Sequence, residues 1–298
     1  MKKKAFFFVV CLNSCNFALD FKNRQKMGYL STDKKKITTK TFAEMKQAGE
    51  KVTMLTAYDF TTAGIIDSAG IDSILIGDSA SNVMAGNANT LPISVDEMIY
   101  HARSVTRAVN HALVVCDMPF GSYQISREEA LRNACRMMKE TGVDALKLEG
   151  GIEIIDTVKS LIDAGIPVHG HLGLTPQSVN KFGGYGIRAK EEAEAEKLIC
   201  DAIALDKAGC FAIVLEKVPA KLAAEVTRQV KAVTIGIGAG AGCDGQVLVY
   251  ADALGMTQGF KPKFLRHFAH VGEEMTKGVQ SYVDAVKTGG YPSAEESY

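Results

Sequence analysis

At 298 residues the chain is long enough for one barrel-sized domain or two smaller ones. It is 47% hydrophobic, with 34 basic and 34 acidic residues in balance, which argues against nucleic-acid binding; no long apolar run suggests a membrane span. Seven cysteines, an odd number without a C-x-x-C pair, point away from a disulfide framework or zinc site and towards a reducing, cytoplasmic compartment.

The first residues, MKKKAFFFVVCLNSC, have a basic start, an apolar run and then small residues, which is the pattern of a short secretory signal. Leu12 to Cys15 resembles a loose lipoprotein cleavage box, and Met27 offers a second start. Residues 1–26 read as an upstream extension, with 1–37 outside the fold and 38–298 as the single folded domain; export is the competing reading.

Thr41-Phe42-Ala43-Glu44 reads as a capping box that opens a helix near Phe42 and ends by Gly49. Val52–Tyr58 is the first buried strand, followed by a helix over 60–69. Ser73–Ser79 is the second strand. Residues 80–92 form a long, small-residue loop of the kind found as a mobile active-site segment. Ser94 to Glu97 is a second capping box, opening a helix to about Asn110. Ala112–Pro119 is the third strand, and Ser126 to Glu129 caps the next helix. Ala145–Glu149 is the fourth strand, with a helix over 152–164. Pro167–Gly173 is the fifth, and a second long loop spans 174–188. An amphipathic helix covers 191–208. Phe211–Val218 is the sixth strand, with Pro219 in the first turn of the next helix. Val233–Gly240 is the seventh strand, Gln246–Ala253 an ambiguous eighth, and a last helix covers about 272–288.

Short apolar strands without period-two alternation, separated by helices, indicate a parallel sheet buried on both faces. About eight such units in one domain fit a (β/α)8 barrel best, with a doubly wound open sheet as the alternative. In a barrel the active site forms at the C-terminal ends of the strands. Polar residues recur there: Asp78 and Ser79, Asp117, Lys147 and Glu149, His169 and His171, and Glu216. Lys147 and Glu149, two apart on one strand, point the same way. Asp78 or Asp117 alone would read as a helix cap. Four successive carboxylates repel one another unless a cation joins them, and without a Cys or His cluster that cation is a hard, oxygen-loving one such as Mg2+. His171, beside Gly170 and Gly173, is an accessible functional candidate, whereas His169 reads as packing. Ile235 to Gly240, IGIGAG, is a weak nucleotide signal, equally well explained by close backbone approach at a barrel mouth.

In order along the chain stand Ile76-Gly77-Asp78-Ser79, Cys116-Asp117-Met118-Pro119-Phe120, Lys147-Leu148-Glu149-Gly150-Gly151, Gly170-His171-Leu172-Gly173-Leu174-Thr175-Pro176-Gln177, Val214-Leu215-Glu216 and Ile235 to Gly240. Over about Thr38 to Pro292 the chain resembles the ketopantoate hydroxymethyltransferase family. The resemblance implies a Mg2+-dependent barrel of the phosphoenolpyruvate-binding superfamily type. It implies one-carbon transfer from 5,10-methylenetetrahydrofolate to 3-methyl-2-oxobutanoate, in the synthesis of pantothenate and coenzyme A. Carried over, Asp78 and Asp117 bind Mg2+ with Glu149 near it, and Ser79 helps Asp78 and Asp117 hold the substrate. Lys147 and His171 contact substrate oxygens, and Glu216 is the acid/base group. A homo-oligomer, typically a decamer, is implied, with the last helix at its contacts. The chain departs from the family pattern at Ala80–Val83 and Gly86-Asn87, which bears on loop contacts and the folate pocket. Another 2-oxo-acid reaction of the superfamily and a non-catalytic barrel are the competing functions.

Overall fold

The computed structural model describes residues 35–257, 259 and 261–298. The readings of a leader, a lipoprotein box and a start at Met27 lie outside the described residues. Residues 36–298 group into one unit. Eight parallel strands close in sequential order into a barrel: β1 (Val52–Thr56), β2 (Ser73–Ile76), β3 (Leu113–Asp117), β4 (Ala145–Glu149), β5 (Val168–Gly173), β6 (Ala212–Glu216), β7 (Val233–Ile237) and β8 (Gly245–Leu248). Pairing of β8 with β1, Val52 opposite Gly245, completes the ring and excludes the open sheet.

The helices are α1 (Thr39–Ala48), α2 (Phe60–Ser68), α3 (Ala80–Val83), α4 (Val95–Thr106), α5 (Arg127–Thr141), α6 (Ile155–Asp163), α7 (Val179–Phe182), α8 (Glu192–Ala208), α9 (Ala220–Gln229), α10 (Tyr250–Ala253) and α11 (Val271–Lys287). None is long and apolar enough to cross a membrane.

Local signals set most helix ends. Ser94 and Glu97 form the reciprocal capping box of α4, and Ser126 accepts the Glu129 N–H at the start of α5. The first helix differs from expectation: it begins at Thr39, capped by Thr38, whose hydroxyl and backbone pair with Thr41. A threonine at the third helical position serves the role that the motif reserves for Glu. Loop 80–92 starts as the single turn α3. It then folds on itself: Ser81 Oγ donates to Asn89 O at 2.8 Å and Asn82 Nδ2 to Asn87 O at 2.9 Å. The eighth strand stops at Leu248, because Tyr250 N–H donates to Thr56 Oγ1 and the chain coils into α10.

The barrel interior is filled by aliphatic residues from seven strands, among them Val52, Leu75, Val115, Ala145, Val214, Ile235 and Val247. On β5 the corresponding place is taken by His169, fully buried and 5.4 Å from the Phe211 ring. Burial holds its imidazole pKa well below the usual value, so it is a neutral packing group. Phe42 of α1 packs on Phe211, just before β6, and closes the N-terminal end of the barrel. Ile37 is tied to the same wall through its N–H to His111 O. A second apolar layer, including Ile74, Met98, Met137, Leu146 and Leu161, lies between strands and helices. Burying both faces of every strand leaves the strand ends as the place where polar groups can gather.

Candidate active site

All seven chemistry-bearing residues at the strand ends line one cavity of about 780 Å³: Asp78, Ser79, Asp117, Lys147, Glu149, His171 and Glu216. Neither aspartate is a helix cap. Ser79 occupies the N-cap of α3, and Ser126 caps α5. Asp117 Oδ2 instead accepts the Asp78 N–H at 3.0 Å, which binds the β2 and β3 exits together. Asp78 Oδ2 accepts from Gln177 Nε2 at 2.9 Å.

The remaining charges form a chain. Lys147 Nζ is 3.0 Å from Asp117 Oδ1 and 3.2 Å from His171 Nδ1. His171 Nδ1 is 3.2 Å from Glu149 Oε1, and Nε2 is 3.4 Å from Glu216 Oε2. An ammonium can only donate, so Nδ1 of a neutral His171 accepts and its proton sits on Nε2, facing Glu216. Burial, reinforced by the Lys147 charge, lowers the His171 pKa and favours that neutral form. Burial alone would lower the pKa of Lys147, but the carboxylates of Asp117, Glu149 and Asp78 outweigh it and raise it. Burial and the repulsion of Asp117 and Glu149 raise Asp78 well above the usual carboxylate range. Burial also pushes Glu149 up to about 7, against the pull of Lys147 and the Gln177 N–H.

Three residues that complete this arrangement carried no assigned role in the sequence. Gln177 bonds Asp78, Met118 O and Tyr123 through its side chain, and Glu149 Oε2 through its backbone N–H at 2.9 Å. Its place in Thr-Pro-Gln after β5 was the available signal. Tyr123, buried in the loop after β3, accepts the Glu149 N–H; nothing local marks it. Tyr58, just beyond β1, holds Ser79 Oγ at 2.7 Å.

Two glycines flank His171 for reasons other than access. A Cβ on Gly170 would meet Leu205 of α8 at 2.9 Å, so that glycine serves helix packing. A Cβ on Gly173, at φ +89°, would lie 2.3 Å from the Glu216 carbonyl, to which Leu174 N–H donates. Gly173 therefore lets β5 approach Glu216 closely. In IGIGAG, Gly240 makes room for Ala220 of α9, and Gly238, at φ +63°, for the Phe264 ring.

These residues fit the implied Mg2+ in a restricted way. The donors are all oxygens, and Asp117 Oδ1 and Glu149 Oε1 are buried without an aligned hydrogen-bond donor, as suits a hard cation. Among the described residues, however, no three His, Cys, Asp or Glu side chains stand close enough to hold a metal by themselves. Lys147 stands beside Asp117, and His171 beside Glu149. Asp78 and Asp117, with Glu149 near them, would hold a Mg2+ in this set of oxygen donors.

The five cysteines in the described residues are free thiols.

Solved structures share the fold. A phosphonopyruvate hydrolase, in complex with oxalate and Mg++, aligns with a TM-score of 0.56 at 10% identity, covering 87% of this chain and 93% of that one. A 2,3-dimethylmalate lyase of the PEP mutase/isocitrate lyase superfamily aligns at 0.55 and 13% identity, covering 86% of each. Sequence relatives are far nearer. Proteins named 3-methyl-2-oxobutanoate hydroxymethyltransferase are 61% identical over 271 residues in Phocaeicola vulgatus and 56% over 270 residues in Porphyromonas gingivalis. Each alignment covers 91% of this chain and 99% of the relative. The family model described as ketopantoate hydroxymethyltransferase matches residues 36–294. Together with the closed barrel and its rim of charged residues, these matches show that the chain belongs to the ketopantoate hydroxymethyltransferase family of transferases.

Proposed function

We propose that this site transfers a one-carbon unit from 5,10-methylenetetrahydrofolate to C3 of 3-methyl-2-oxobutanoate, with one water supplying the new hydroxyl oxygen, giving 2-dehydropantoate and tetrahydrofolate for pantothenate and coenzyme A synthesis. The obstacle is the weak acidity of C3. Asp78 and Asp117, with Glu149 nearby, would hold Mg2+, which would supply Lewis-acid stabilisation of the charge that develops on the ketone oxygen. Glu216 takes the C3 proton. The observation that carries this assignment is its contact with His171: Nε2 lies 3.4 Å from a carboxylate that stays 17% exposed towards the cavity. The imidazole stands beside that base and leaves it open to substrate. Lys147, held cationic by three carboxylates, offers its charge to substrate oxygens and later to the new hydroxyl. Ser79, fixed by Tyr58, contacts the substrate carboxylate through hydroxyl and backbone, while Asp78 and Asp117 would hold the substrate through the cation.

A homo-oligomer, a decamer by family resemblance, and a cytoplasmic site of action belong to the same reading. The apolar side of α11 supports the first: no residue of that helix is buried, and Met275, Val279 and Tyr282 are more than half exposed.

Product analysis with 3-methyl-2-oxobutanoate, methylenetetrahydrofolate and Mg2+ tests the reaction. Formation of 2-dehydropantoate only when folate is present is expected. Cleavage of the oxo acid without folate would assign a lyase reaction instead. For the metal, Asp78→Ala and Asp117→Ala should each abolish Mg2+-dependent turnover with the fold intact; full activity in either rejects the aspartate site.

A further inference from the structure

The cavity of about 780 Å³ is the size of a site for a drug-sized ligand, far larger than a small oxo acid requires. Its lining divides by burial. Asp78, Asp117, Lys147, Glu149 and His171 are each at most 6% exposed. Lys217, Asp252, Met256, Thr257 and Phe264 are half-buried and lie beyond the ends of β6 and β8. Of the acidic residues lining the cavity, Asp78, Asp117, Glu149 and Glu216 belong to the charge network already described. Asp252 stands apart from it: the groups that act on its carboxylate are the Thr257 hydroxyl and His267.

We propose that Asp252 receives the pyrimidine edge of the folate's pterin in this outer part of the cavity, an assignment that rests on the folate-dependent reading above. A reduced pterin presents an amide N–H and an exocyclic amino group side by side. A carboxylate accepts such a pair with both oxygens. Asp252 is partly withdrawn from water, and burial raises its pKa, so two matched donors repay its desolvation. The neighbouring surface suits a flat ring. Met256 and Phe264 line the same space, and the Phe264 ring lies so close over Gly238 that a Cβ there would be 3.0 Å from it. Position also fits. Lys217, next to Glu216, has its Nζ 6.0 Å from the Phe264 ring centroid, so the outer compartment borders the proposed base. A ring anchored at Asp252 can present its one-carbon unit to a carbon facing Glu216.

The test compares wild type with D252A and D252N, full-length and with Mg2+. In D252A the KM for methylenetetrahydrofolate should rise at least about tenfold, as loss of a charge-assisted pair requires. The KM for 3-methyl-2-oxobutanoate, and folate-free exchange of its C3 proton into D2O, should stay within about twofold of wild type. D252N, which preserves shape, should show the same split. Wild type should disfavour a 2-desamino donor, whereas D252A should not distinguish it from the normal one. An unchanged folate KM in D252A, or C3 exchange falling in parallel with turnover, overturns the assignment of Asp252. Wild-type turnover that needs no folate overturns the underlying reading instead.

Discussion

Gln177 joins residues from three strand exits: its side chain reaches Asp78 after β2 and Met118 O after β3, and its backbone N–H reaches Glu149 of β4. Replacing it with Leu leaves the Asp78 carboxylate and the Met118 carbonyl without these donors. We expect a loss of about 1–3 kcal/mol in stability, measured by urea unfolding, with a fall in kcat; a variant as stable and active as wild type would refute the bridging role. Glu216→Gln removes the proposed base while keeping its volume. Exchange of the substrate C3 proton should fall by about a hundredfold or more. Normal exchange, followed by NMR in D2O, would move the base role elsewhere. These two residues also mark how far single positions were legible. Glu216 was marked by its place at the end of an apolar strand. Gln177 stood in a recognisable motif, but its role depended on which carboxylates the fold brought around it. Tyr123 had no local signal, because its hydroxyl acquires meaning only where its loop meets β4.

At the scale of elements, β4 shows why strands could be read from apolar runs. Five buried residues bounded by Asp144 and Gly150 leave little choice of register, so the two-residue spacing of Lys147 and Glu149 is enough to put them on one face. Boundaries moved where a tertiary hydrogen bond competed with an apolar run, as at β8, where Thr56 captures the Tyr250 N–H. The capping boxes of α4 and α1 differ similarly: the Ser94–Glu97 pair was readable, while Thr38–Thr41 hid behind an apparent box three residues on. Helix α11 carries the clearest unfulfilled pattern. Met275, Val279, Tyr282 and Val286 repeat at helical spacing, and all are exposed. If this face meets other copies of the chain, Val279→Asp with Tyr282→Asp should yield smaller particles in light scattering while the barrel's circular dichroism is unchanged. An unaltered mass would show that the face is not an interface.

For the whole molecule, the buried charges make stability depend on pH. The folded protein holds Glu149 protonated up to about 7, above the usual carboxylate range. The folded state therefore binds that proton more tightly than the unfolded chain does. Its contribution is fully present below the ordinary carboxylate pKa and is lost as pH rises through about 7. Between pH 5.5 and 8, metal-free wild type should lose more stability than Glu149→Gln, measured by denaturant midpoints at both pH values. Equal losses would mean that Glu149 ionises normally. The same burial that creates this cost also readies the site, since charges that are poorly solvated by water respond strongly to a cation or to developing substrate charge.

By itself the sequence determined the barrel, the strand ends that bear charge and the family, because apolar runs of strand length, terminal glycines and specific motifs are local properties. Only the tertiary structure decided which of those charges meet. It placed Lys147 beside Asp117, and His171 between Glu149 and Glu216. It also brought Asp252 to the same cavity as Glu216. Such proximities arise from closing eight strands into a ring, which brings together residues far apart in the chain that no spacing rule relates.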